Sequence, residues 1–91
     1  MVLLMFAVND VKANAFSAPF FTSTKGLAVR MFSDLAKDSR SSLSKYPDDF
    51  KLYLIGEFND ASGAVDSHKP EFICSGSEFV SNSITDSVIK K

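Results

Sequence analysis

The chain predicts an α+β fold, a small and mostly antiparallel sheet with one main amphipathic helix packed on one face. Three stretches carry that expectation. Residues 2–8, VLLMFAV, form an unbroken apolar run rich in strand formers, the pattern of a strand covered on both faces. From Ser23 the period changes: Leu27, Ala28, Met31, Phe32 and Leu35 fall on one helical stripe, with Arg30, Ser33, Asp34 and Lys37 on the other side. Residues 50–58, FKLYLIGEF, then alternate, so that Phe50, Leu52, Leu54 and Phe58 share one strand face and Lys51, Tyr53, Ile55 and Glu57 the other.

The connections follow from turn chemistry. Asn9 and Asp10 end the first strand. Pro19 confines Ala18 to extended backbone and keeps helix out of a segment that holds a short edge strand near Phe16. Ser23 or Thr24 is the natural N-cap, because a hydroxyl there accepts from a free amide of the first turn. Gly26 in that turn lowers helix propensity by roughly 1 kcal/mol relative to alanine, which points to close packing or a closely approaching ligand. Residues 38–49 read as a polar, serine-rich loop. NDASG at 59–63 is a turn, after which AVDS and EFICSG return as strands. The expected organisation is a single domain over 1–74, with a Ser-rich tail over 75–91 that is partly ordered or closes in a short helix.

Size and composition narrow the class. Ninety-one residues, 45% hydrophobic and 23% charged, make one globular domain. A chain this short buries only part of its apolar surface, and one helix leaves the opening strand bare on its other side, so a homodimer is expected. The opening MVLLMFAV has no basic leader, no cleavage site and too few residues to span a bilayer. A lone cysteine fits a reducing compartment, and the expected location is cytoplasmic, with no membrane partner. The net charge of −1 hides an asymmetry: residues 1–45 sum to +3 and residues 46–91 to −4.

Enzyme constellations are missing. One histidine, His68, and one cysteine, Cys74, cannot assemble a common metal site, and neither has an evident base or orienting group beside it. Asp48-Asp49 and Asn59-Asp60 sit where turns are expected. No phosphate-binding glycine fingerprint is present. The expectation is a non-enzyme without metal or cofactor.

Binding chemistry concentrates in FSAPFFTSTKG, residues 16–26. A helix N-terminus with Lys25 and Gly26 offers free amides to an anion. Phe20 and Phe21 read either as core anchors or as rings that stack on bases, and one of the two is expected to be the buried anchor. Tyr53, beside Lys51, is a further exposed ring, or else a contact with a second layer or a partner copy. The candidate nucleic-acid residues are therefore Lys12, Lys25, Arg30 and Lys37 for phosphates, Phe20, Phe21 and Tyr53 for stacking, and Gly26 for close approach.

The ordered series MFAVNDVKANAFSAPFF, KGLAVRMFSDL and YPDDFKLYLIGEFNDASG resembles the small nonstructural protein of gokushoviruses, tailless single-stranded DNA phages of the Microviridae. The likeness covers roughly residues 5–63 and departs from the usual pattern at Asn59-Asp60, where an acidic residue commonly comes first. It implies a phage-encoded accessory protein of DNA replication or packaging in the host bacterial cytoplasm, with single-stranded DNA as its partner. The alternative is an interaction module for a viral or host replication or capsid protein, which the acidic second half favours.

Overall fold

The computed structural model describes residues 1–79. β1 (Val2–Asp10) is the central strand, one residue pair longer than its apolar run because Asn9 and Asp10 still lie in register with β4 (Phe50–Asn59). The two pair antiparallel from Val2 opposite Asn59 to Asp10 opposite Phe50. Along the other edge of β1, two short strands pair in succession, β2 (Ala15–Phe16) at Asn9 and β3 (Phe20–Thr22) at Phe6. β5 (Val65–Ser75) extends β4, giving five strands in the order β2-β1-β4-β5 with β3 beside β2's place on β1. The fold is α+β, as the sequence pattern predicts.

Local chemistry sets the ends of these strands. Asp10 accepts from the amides of Lys12 and Ala13 at 3.0 and 3.2 Å, turning β1 toward β2 from the last position of the strand. Asn59 does the same for Ala61 and Ser62 at 2.9 and 3.3 Å, and Gly63 takes the positive φ of 76° that completes the β4–β5 turn. AVDS and EFICSG, but for Ala64 and Gly76, thus belong to one eleven-residue strand.

The main helix, α1 (Lys25–Lys37), is capped by Thr24, whose Oγ1 accepts from the Leu27 amide at 3.2 Å. Its buried line is Ala28, Phe32 and Ala36. These pack on Phe6, Leu52, Leu54 and Cys74 of the sheet and on Leu43. The predicted stripe is therefore rotated: Leu27, Met31 and Leu35 are 45–48% exposed along its flank.

The segment read as a loop over 38–49 is ordered by its serines. Ser41 donates to the Leu35 carbonyl at 2.6 Å and accepts from Ser44 at 3.1 Å, capping α2 (Ser42–Lys45). Leu43 plugs into the core, and Pro47–Asp49 add a 3-10 turn. One apolar residue and one cap were enough to convert a polar run into structure.

Strict alternation fails in β4. The register shifts between Met5 and Phe6 of β1, and again between Leu54 and Gly56 on the β5 side, so Ile55 is an extra residue. Phe58 consequently joins the face of Tyr53 and not that of Leu54. A shift between Leu52 and Tyr53 likewise separates Phe72 from Cys74, which simple alternation would keep together.

Only one sheet face carries helices, so the expectation that β1 is covered on both sides holds for one side among the described residues. Phe79 packs edge-on against Phe32 at 6.1 Å. The rest of the expected tail, 80–91, including its short terminal helix, lies outside the described residues.

Candidate nucleic-acid interface

The bare sheet face is aromatic. Register places Ala7 opposite Tyr53, Asn9 opposite Phe16, and Tyr53 opposite Phe72. The rings form a continuous row from β2 over β1 to β4 and β5: Phe16 meets Tyr53 at 5.6 Å and 66°, and Tyr53 meets Phe72 at 5.8 Å and 72°. Such edge-on pairs are favourable for the ring quadrupoles, each setting one ring's edge against the other's face. Ala7 between them is 1% exposed although no helix covers this side, since larger rings flank its methyl. Toward the other end of β1, Phe21 and Phe58 make a second pair at 5.6 Å and 60°, on the same face as Leu3 and Met5.

The outer rings remain open to solvent, while Tyr53 and Phe58 are only partly exposed. Phe16, Phe21 and Phe72 are 49%, 43% and 51% exposed. None of the paired positions on this face is acidic, and Lys51 stands two residues from Tyr53. The Lys51 ammonium donates to the Asp48 carbonyl at 3.3 Å, which leaves its other protons free for an anion at the rim.

The residues nominated from sequence fall in three places. Phe21 and Tyr53 lie on the bare face. Phe20 faces the opposite way and stacks on Phe6 at 5.8 Å and 27°, so of the adjacent pair Phe20 is the anchor and Phe21 the exposed ring. Lys12 occupies the exposed β1–β2 turn at the Phe16 end, beside an open recess of about 780 Å³ that Asp10, Tyr46 and Asp49 also line. Lys25, Gly26, Arg30 and Lys37 belong to α1, across the sheet from the rings. Lys25 is 3.3 Å from Glu71. A Cβ on Gly26 would meet only Thr24 Oγ1, at 3.9 Å, so packing does not require glycine there.

Sequence reasoning missed Phe16, Phe58, Phe72 and Lys51 as members of one surface. The short strand at Phe16 was legible, and so was the Lys51–Tyr53 face. What hid the row was the set of register shifts, which alternation cannot supply.

Other candidates resolve as structural. His68 is exposed within β5, with Nδ1 2.8 Å from the Lys69 carbonyl. Cys74 is 4% exposed, and burial first, then the charge of Glu78, pushes its thiol up to about 11, away from the range of a nucleophile. Asp48 and Asp49 lie in the 3-10 turn, and Asn59 spends its oxygen on the hairpin. No cluster of three metal-ligating side chains occurs among the described residues. No helix among them is long and apolar enough to cross a membrane.

The geometry defines a class: a small α+β module with one sheet face closed by a helix and the other left bare, aromatic and without acid. The family model for phage ORF5 proteins matches residues 3–79, nearly all of the described chain. The chain belongs to that family and is a phage protein. Comparison with curated proteins and with solved structures gave no match.

Proposed function

We propose that this protein is a non-enzymatic accessory factor that binds single-stranded DNA on its bare sheet face, during genome replication or packaging in the host bacterial cytoplasm. The row Phe16–Tyr53–Phe72 is the observation that carries the reading. Rings about 5.6–5.8 Å apart, half-exposed at Phe16 and Phe72 and partly exposed at Tyr53, offer stacking platforms, and unpaired bases expose the π-faces that a duplex hides. Lys51 supplies a phosphate contact on the face, where no paired position is acidic, and Lys12 a second at its Phe16 end, beside Asp10 and Asp49. Membership of the phage ORF5 family agrees with such a role, and the resemblance to gokushovirus nonstructural proteins supports a single-stranded genome as the substrate.

The reading changes the residues expected to act. Stacking passes from Phe20 to Phe16, Phe21, Tyr53 and Phe72. Phosphate contact passes from α1 to Lys51 and Lys12.

The test is fluorescence anisotropy of a labelled single-stranded oligonucleotide at two salt concentrations, with a duplex control and the double variant Phe16→Ala/Phe72→Ala. Binding that prefers the single strand, weakens with salt and is lost in the double variant is the expected result. No binding at low salt would overturn the reading and favour the protein-interaction module.

A further inference from the structure

The ridge Leu27, Met31, Leu35 on α1 has no partner among the described residues and takes no part in the proposed DNA face. The three side chains are 45%, 48% and 48% exposed at i, i+4 and i+8. Beside them runs a wholly apolar groove of about 220 Å³, lined by Val8, Phe20, Met31, Phe32 and Leu35. Ridges of this spacing interdigitate with a like ridge at a crossing angle of about −50°.

We propose that two copies of this chain pair α1 against α1, antiparallel, about a two-fold axis through Met31. The ridge is self-complementary under that operation. Leu27 and Leu35 lie four residues either side of Met31, so each Leu27 meets the partner's Leu35, and Met31 meets its own copy.

Charge selects a second copy over another occupant. Arg30 and Asp34 flank the ridge on the same side, both exposed, and neither forms an ion pair among the described residues. An antiparallel two-fold keeps that flank facing itself. At about 1.5 Å of rise per residue, Asp34 then lies about 3 Å along the axis from the partner's Arg30. Two reciprocal ion pairs result. Lys25 is directed to Glu71 of β5; the two Arg30 side chains also lie about 3 Å apart along the axis, so two attractive pairs stand against one like-charge contact. The arrangement leaves both aromatic sheet faces uncovered, turned to the same side of the helix pair.

Disulfide trapping tests the axis directly. Helix axes about 8–10 Å apart, less two Cα radii of about 2.3 Å each, put the two residues 31 about 3.4–5.4 Å apart, overlapping the disulfide range. Met31→Cys is expected to form a covalent dimer when oxidised glutathione is added, whereas Phe72→Cys is not; native Cys74 is buried and does not compete. In sedimentation experiments without oxidant, Met31→Glu should raise the dimer dissociation constant by on the order of 10-fold or more, because two carboxylates would meet on the axis. Arg30→Glu should also weaken the dimer, and adding Asp34→Arg should restore it. A wild-type chain that stays monomeric, a dimer that survives Met31→Glu, failure of the charge swap to restore association, or trapping at residue 72 and not 31 would each overturn the proposal. DNA binding by the monomeric variant is read separately by anisotropy, so the two proposals fail independently.

Discussion

Phe20 and Phe21 show how one step along a strand decides a residue's role. Phe20 stacks on Phe6 within the core side of β1, and Phe21 points to the bare face. Phe20→Ala is therefore expected to destabilise the fold by about 2–3 kcal/mol, below the range of about 3–5 for a fully buried ring, while leaving DNA affinity to the folded fraction unchanged. Tyr53→Ala should do the reverse, lowering single-strand affinity by about 1–3 kcal/mol for the lost stacking platform. Denaturant titration and anisotropy on both variants separate the two roles, and equal effects in both assays would contradict the assignment. Cys74 gives a pH signature. Its thiol is raised when folded, from 9.0 to about 11, so folding disfavours the thiolate. The associated stability is complete below about pH 9 and is lost as pH rises through about 11. Urea midpoints should fall across that window, and Cys74→Ser should flatten the fall.

Elements differ in how far the sequence reveals them. The α1 cap and the hairpin at Asn59 were readable because each depends on one side chain bonding to a nearby amide. The faces of β4 were not, since a bulge depends on which partner strand arrives and at what register. Gly56 marks the place afterwards: a Cβ there would lie 2.4 Å from the Asp66 carbonyl oxygen and 3.2 Å from the Ser67 Cα, both backbone. Gly56→Ala is expected to lower stability by about 2–3 kcal/mol, the upper part of the range for overpacking, because backbone cannot turn aside as a side chain can. Gly26 behaves oppositely. With only an ordinary contact waiting, Gly26→Ala should stabilise α1 by up to about 1 kcal/mol, and a loss of stability on thermal melting would contradict that.

At the scale of the whole molecule, the charge asymmetry read from sequence did not become one basic face. Lys25, Arg30 and Lys37 went to α1, and the rings went to the other side of the sheet. Salt dependence distinguishes the two surfaces. Single-strand affinity falls with a log-log slope of about −0.7 per phosphate neutralised, so contacts by Lys12 and Lys51 predict about −1.4, and the four cations first nominated would give about −2.8. The bare face, legible as a deficit of helices for one apolar strand, took its chemical character from rings scattered through four strands. Only the pairing brings them together.

Tyr53 reports on this account from within. The chain has two tyrosines and no tryptophan, so Tyr46→Phe leaves Tyr53 as the sole tyrosine, excited apart from the phenylalanines. The measurement is its emission during titration with unlabelled single-stranded DNA at low salt. Saturable quenching that is reversed by added salt and weak with duplex is the predicted result, because a base stacked on the ring quenches it. Saturated binding, verified by anisotropy, with Tyr53 emission unchanged would place the DNA elsewhere and contradict the stacking face.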